Sequence, residues 1–436
     1  MAERFDVVVV GARCAGAPLA ALLARQGVRV ALLDQASFPR DTLSSHLFEA
    51  DALAFLDRLG VTEELRATGA PFSDRMDLRI EDVHLPALPW TQRPGDVGGV
   101  TSVRRLVLDP ILIRAAEEAG ADVRTGTKVV GTVEDDGRVA GVRVASDASE
   151  VELRASLVVG ADGRGSTVAE LCGARKYNLF PNERGLYWAF FEHAEPPARD
   201  TFVSHRWSDR FILGIESDAG LYQVLVWPEF ADLERFRGDL DAMFMDQALS
   251  CEPVAAALAG ARRVGKLFGA VRWAGFFREA SGPGWVLTGD AGHFKDPSPG
   301  RGIGDAFIQA EALAPAIVQG LGGSLDEAMV RWARWRDDEF AEHYWLACDL
   351  GRTGELPAVL PEIFRGLEQH GQIDRFVDLL NHRAKPSQVL TPPRLLKATA
   401  KVLARHRNRL GNLREVATLA GDDMRRRRLN RRPAYV

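Results

Sequence analysis

Cysteine is scarce in this 436-residue chain: Cys14, Cys172, Cys251 and Cys348 stand far apart, with no Cys-x-x-Cys pair and no His/Cys cluster. That argues against a disulfide framework or a metal centre and fits a reducing compartment. Long apolar runs are also missing; none approaches the ~20 residues that cross a bilayer. The first residues pass straight into a strand pattern without a charged leader or cleavage site, so the expected location is the cytoplasm. A strong charge of one sign is absent too. The net charge of -5 gives no reason to expect nucleic acid as a partner.

One segment departs from that balance. Arg425, Arg426, Arg427, Arg428, Arg431 and Arg432 make a basic tail on a mildly acidic body. Two readings stand side by side: a contact with an anion or membrane surface, or a solvated terminus. The rest is ordinary globular composition, 46% hydrophobic and 26% charged, long enough for two or three packed units.

The most specific pattern comes first in the chain. Phe5 to Val10 is almost wholly apolar, as a parallel strand buried on both faces requires. Gly11-Ala-Arg13-Cys-Ala15-Gly16 follows, then an Ala/Leu-rich helix to Gln26, a capping Gly27, and a second strand ending on Asp34. Gly11 permits a sharp turn and Gly16 close packing of helix on sheet. The helix N-terminus then offers N–H groups and a positive dipole to a pyrophosphate. Asp34 is placed to accept adenosine ribose hydroxyls. Arg13 stands where the middle glycine of G-x-G-x-x-G is expected. Its side chain either adds positive charge near the phosphates or points away.

Two further segments end buried strands in the same manner. Leu157-Val158-Val159 leads into Gly160-Ala-Asp162-Gly163-Arg164, and Trp285-Val-Leu287 leads into Thr-Gly289-Asp290. The latter runs on through His293, Lys295, Asp296, Pro297, Gly300, Gly302, Ile303 and Gly304 into an apolar helix. A carboxylate such as Asp290 can hold a sugar-like hydroxyl, and a helix N-terminus at 300–304 stabilises negative charge on a flat ring.

In this order and spacing the three segments resemble the FAD-dependent flavoprotein monooxygenase superfamily, which includes aromatic hydroxylases, halogenases and geranylgeranyl reductases. The landmarks cover roughly the first 330 residues. The resemblance implies an α/β fold: a Rossmann-type FAD-binding domain (1–75, 101–175 and 276–330), an inserted antiparallel β-sheet substrate domain (76–100 and 176–275), and a C-terminal helical region (331–436). It implies FAD as cofactor, with contacts at Gly11, Arg13, Ala15, Gly16, Asp34, Gln35, Ser44, Ser45, Arg105 and Val129. Asp162, Gly163, Asp290, Pro297, Gly300, Gly302 and Ile303 complete the set. Where Gly304 stands the hydroxylases usually carry Asn, which puts a flavin contact at that position in doubt.

The aromatic-rich stretch Leu186 to Pro228 alternates as antiparallel sheet, and Met76 to Val100 is expected to join it. By resemblance this sheet roofs a substrate pocket, so an aromatic or polycyclic metabolite is expected. The helical residues after 330 either close that pocket or form a dimer contact. His46, His293 and Pro297 are the catalytic candidates, the histidines as proton donors or orienting groups. Lys295 and Asp296 could pair with each other. The implied activity is an FAD monooxygenase that takes electrons transiently from NAD(P)H, consistent with the lack of a second glycine-rich βαβ unit. It delivers oxygen from O2 through a C4a-hydroperoxyflavin. A separate flavin reductase is compatible with the sequence, as is a homodimer. A reductase or dehydrogenase acting on a carbon–carbon bond is the alternative. No Trp-x-Trp-x-Ile-Pro motif is present, which ranks a halogenase low.

Overall fold

The computed structural model describes residues 3–146, 149–405 and 408–436. Its first sheet places Asp122–Arg124, Val30–Leu33, Glu3–Val10, Ser149–Gly160 and Trp285–Leu287 side by side, all parallel, with Ser281–Gly282 as an antiparallel edge. The strand Glu3–Val10 shows why a nearly continuous apolar run suits this position. Val7 and Val9 enter the core beneath one face, and Val8 and Val10 enter the core beneath the other. The helices Gly16–Arg25, Arg105–Glu118 and Gly302–Leu321 pack over the first of those faces. The N-terminal half of Ser149–Gly160 continues into an antiparallel extension with Arg138–Ser146 and Lys128–Asp135.

A second, seven-stranded sheet runs in the order Arg262–Ala270, Leu186–Glu192, Tyr222–Val226, Arg210–Glu216, Thr201–Trp207, Arg75–Ile80, Val83–Pro89. It is antiparallel except at one seam, where Arg75–Ile80 lies parallel to Thr201–Trp207. The seam exists because these two strands come from distant parts of the chain and are not joined by a hairpin. Val100, the last residue of the stretch expected to join this sheet, instead opens the strand Val100–Ser102, which pairs with Leu47–Glu49. Both faces of the sheet are buried. Trp188 and Phe190 face one core, while Tyr187 and Phe191 face another that is closed by the helices Leu240–Leu249 and Glu252–Ala257.

After the helix Leu325–Leu350, which packs along Gly302–Leu321, come Val359–Gln369, Asp374–Leu380, Pro386–Val389, Pro392–Arg405 and Arg409–Arg431. Side chains of Leu346 to Leu390 close over the apolar face of the second sheet. The fold therefore seats one cavity between the sheet, the Gly-Asp segment and these helices. No helix among the described residues is long and apolar enough to cross a membrane.

Candidate active site

The glycine-rich turn is built by contacts that only glycine allows. Gly11 has φ +106°, and a β-carbon there would lie 2.4 Å from the carbonyl oxygen of Ala161. A β-carbon on Gly16 would lie 1.8 Å from the carbonyl oxygen of Gly11. Arg13 turns to Asp109, donating from Nη1 to Oδ2 at 2.6 Å. Arg105 donates to the other oxygen of the same carboxylate at 2.7 Å. Two guanidinium groups thus share one fully buried carboxylate beside the N-terminus of Gly16–Arg25. The local charge is left positive, which suits a diphosphate.

Asp34 is buried, and its carboxylate accepts from the N–H groups of Ala12 at 2.8 Å and Ala36 at 2.7 Å. A carboxylate has about four acceptor sites, so two remain for ribose hydroxyls. The backbone at 126–129 runs alongside: Thr127 donates to the Asp34 carbonyl at 2.8 Å and Gly126 to that of Ala36 at 3.1 Å. Val129 is buried in the strand behind it, and Gln35 is exposed. Asp162 caps its own loop, accepting from Ser166 Oγ at 2.5 Å and from the N–H of Val168 at 3.1 Å. Burial pushes its carboxyl above the usual range. Gly163 beside it has φ +79°.

The Gly-Asp segment reaches back to this turn. A β-carbon on Gly289 would lie 2.7 Å from that of Ala15. Asp290 is pushed up to about 6 by burial and by Asp305, against the pull of Arg105, Arg164 and Lys295. The buried Arg336 fixes the loop from behind, donating to the carbonyls of Gly292 and Arg278 at 2.8 Å. Gly300 has φ +75°, and Gly302 opens the long helix with nothing within 4 Å of an added β-carbon. Ile303 is buried in the helical core. Gly304 faces the Arg301 guanidinium, which a β-carbon would meet at 2.7 Å.

His46 lies between the two halves of the site. It is buried with φ +61°, and its Nδ1 accepts the N–H of Arg105 at 3.1 Å. Nε2 therefore carries the proton, and it has no partner among the described residues. Burial, then Arg105 and Arg104, pull the ring down to about 3, so it is neutral near pH 7 and acts as a hydrogen-bond donor. Ser44 Oγ accepts the N–H of His46 at 3.1 Å, and the Ser45 carbonyl accepts from Gln223 at 3.0 Å. His293 is placed differently: its ring packs among Phe277, Phe340 and Tyr344, away from the cavity lining.

The cavity holds about 130 Å³ of free space. Phe202 and Phe211 are the only aromatic side chains from the Leu186–Pro228 stretch in its wall; Trp90, Phe364 and Phe376 join them, but Leu and Ile from the sheet and the late helices dominate. Its polar lining comprises Glu49, Lys295, Ser298, Arg301, His343 and His382, with Arg79, Ser204 and Arg206 from the sheet. Lys295 pairs with Asp305 at 2.6 Å, and not with Asp296, which accepts from Trp273 Nε1 and Ser298. Arg301 is held by Glu49 and Asp51 at 2.6–2.7 Å. His382 Nε2 is 3.4 Å from Lys295, and its ring lies 3.6 Å from that of His343. Asp305 carried a faint sequence signal, an acid in the first turn of a helix. Glu49, Arg301, His343 and His382 carried none, because only tertiary packing gathers them.

The parallel sheet, its glycine turn, the two Asp-bearing loops and an enclosed cavity define an FAD-dependent oxidoreductase. Residues 4–214 match the FAD binding domain family. The chain is 30% identical to 6-methylpretetramide 4-monooxygenase of Streptomyces rimosus over 334 residues, 72% of this chain and 76% of that one. It is also 30% identical to menaquinone reductase of Mycolicibacterium smegmatis over 388 residues, 83% of this chain and 87% of that one. The chain belongs to the flavoprotein monooxygenase superfamily that includes hydroxylases, halogenases and geranylgeranyl reductases. Among solved structures, a flavin-dependent brominase superposes with a TM-score of 0.73 at 18% identity, covering 93% of this chain and 100% of that one. Aklavinone-11 hydroxylase with FAD and aklavinone gives 0.63 at 20% identity, covering 80% and 69%. At such identities these two speak to the fold alone.

Proposed function

We propose that the protein is a monooxygenase that draws electrons from NAD(P)H and transfers one oxygen atom of O2 to an electron-rich small molecule. The observation carrying this reading is that the Ser298–Arg301 loop, which opens the helix expected to face the flavin, is also a wall of the enclosed cavity. A substrate in that cavity would sit beside that loop and away from bulk water. The flavin supplies electron transfer and oxygen activation when bound.

The chain's own residues divide the remaining work. Gly11, Gly16, Arg13 and Arg105 would hold the pyrophosphate of a bound FAD, and Asp34 would hold its ribose. Asp290, a carboxyl poised near 6, would hold the ribityl chain. The N–H groups at the helix start, 302–304, would steady negative charge on a bound flavin, the Gly300 N–H being engaged by the Pro297 carbonyl at 2.9 Å. His46, neutral and packed against Trp188 and Phe190, keeps a spare Nε2–H donor beside Arg105, and Lys295 in the cavity wall would orient the polar end of the substrate. His293 keeps a structural position among the aromatic side chains.

A second reading rests on one observation, the aliphatic character of the cavity wall. A wall dominated by Leu and Ile suits a hydrocarbon chain better than a fused aromatic system, and it favours a reductase acting on a carbon–carbon double bond. Anaerobic reduction with NADH or NADPH followed by rapid mixing with O2 separates the two. A transient distinct from the reduced and oxidised spectra, with a lifetime that responds to candidate substrates, supports oxygenation. Direct reoxidation with every candidate present moves the assignment to the reductase.

A further inference from the structure

The basic tail remains outside the activity described so far, and its conformation gives it a specific surface. Residues Arg409–Arg431 form one helix with no buried residue. Its inner side, with Val416, Leu419, Arg426 and Leu429, rests on the body: Arg426 pairs with Asp349 and lies over Trp345. Its outer side carries Leu410, Leu413, Ala417, Ala420 and Met424, all exposed. Their spacing alternates between three and four residues, so they form one stripe along the helix. Leu410 is 73% exposed and Met424 67%, a poor arrangement if water is the only neighbour. The preceding helix Pro392–Arg405 adds Leu396, 72% exposed, while it buries Ala398 and Val402 inward.

The charges beside the stripe are of one sign. From residue 392 to 432 the sequence has thirteen Lys and Arg against three Asp and Glu, on a chain of net charge -5. Among the described residues, Lys401, Arg409, Arg414, Arg428, Arg431 and Arg432 have no carboxylate within 4 Å. An apolar stripe flanked by unneutralised cations, on a helix unable to span a bilayer, is the pattern of a helix lying in a membrane interface. A second copy of the same face would bring cations against cations. A nucleic acid would leave the apolar stripe without a use.

We propose that the outer face of Arg409–Arg431, with Leu396 beside it, docks the protein on an anionic lipid bilayer. Leucine and methionine side chains enter the acyl boundary, and the arginines meet the lipid phosphates. The helix Pro392–Arg405 packs on Val359–Gln369, whose Leu360, Ile363, Phe364 and Leu367 line the aliphatic cavity. Docking therefore brings the cavity's helical wall close to the lipid phase. The proposal concerns location and is independent of the oxygenase or reductase assignment.

The test uses the full-length FAD-loaded protein in flotation with vesicles of phosphatidylcholine alone, or containing about one third phosphatidylglycerol. Binding to the anionic vesicles about tenfold above the neutral ones, weakened by high salt, is expected. The triple variant Leu410→Asp, Leu413→Asp, Met424→Asp should lose most of that binding. A second variant, Arg414→Gln with Arg428→Gln and Arg431→Gln, should lose the preference for anionic lipid. FAD content and Tm should stay unchanged in both, because the altered side chains face outward. Equal recovery of wild type and triple variant with the vesicles overturns the proposal. So does a wild-type dimer in light scattering that the triple variant dissolves, since a second copy would then cover the face. Binding to duplex DNA that is indifferent to the Asp substitutions overturns it as well.

Discussion

Arg13 donates to Asp109 at 2.6 Å, so a residue placed where a phosphate-binding turn normally has glycine is anchored on the neighbouring helix. Because Arg105 uses the other oxygen of that carboxylate, Asp109 sets both cations beside the turn.

Removing the anchor should be costlier than removing either arm. Asp109→Asn leaves two clustered guanidinium groups, Arg105 buried and Arg13 24% exposed, without their shared counter-charge, at a cost of about 3 kcal/mol. Arg13→Gly should cost less and lower FAD affinity modestly. Urea unfolding of both variants, together with FAD retention after dialysis, checks the ranking. A smaller loss for Asp109→Asn than for Arg13→Gly would refute the shared-anchor account.

Asp34 has two duties that a pair of substitutions can separate. Asp34→Ala orphans the buried N–H groups of Ala12 and Ala36, about 1–3 kcal/mol each, and removes the proposed ribose acceptor. Asp34→Asn keeps one carbonyl acceptor and should retain more of the fold. Both variants should lose FAD, measured as the flavin-to-protein absorbance ratio, with Asn losing less. Full occupancy in the Ala variant would mean that the ribose assignment is wrong.

Glu49 offers a pH signature. Burial is the largest influence on its carboxyl and, with Asp51 and Asp305, pushes it up to about 8, although Arg301 opposes the rise. A carboxyl raised in the folded state binds its proton more tightly there than in the unfolded chain. Its contribution is fully present below the ordinary carboxylate range near 4.5 and is lost as pH rises through about 8. Glu49→Gln should flatten the fall in stability across that window, read from urea midpoints at a series of pH values. Parallel pH profiles for wild type and variant would count against the raised carboxyl.

What the sequence makes legible here depends on how local the information is. The turn from Val10 to Gly16 is written in adjacent residues, because strand burial, the sharp turn and helix packing each demand a residue type within a few positions. The second sheet was legible as alternation, but the use of its faces was not. Tyr187 and Phe191 face helices whose arrival at that surface no local pattern announces. Aromatic density therefore pointed to a pocket wall that leucines and isoleucines of the late helices mostly supply. The same limit hid the pairing of Lys295 with Asp305, and its neighbour His382, 87 residues away. Asp296 looked the natural partner by adjacency, yet Trp273 and Ser298 already engage its carboxylate.

Gly302 gives the cleanest test of where the cofactor lies. At most of the structurally tight glycines a side chain would collide with protein: Gly11 meets Ala161, Gly16 meets Gly11, and Gly289 meets Ala15. Losses at those positions confound folding with binding. At Gly302 an added β-carbon meets nothing within 4 Å, and the residue sits in the first turn of a helix, where Leu is a better helix former than Gly. Gly302→Leu should therefore leave the apoprotein at least as stable as wild type while cutting FAD affinity or the rate of flavin reduction about tenfold or more. Thermal unfolding of the apoprotein and FAD titration by flavin fluorescence measure the two effects separately. A stable variant with unimpaired flavin binding and reduction removes the isoalloxazine from that helix start. A stable variant that rejects flavin places the ring in the open space before Gly302, against the loop that also walls the cavity.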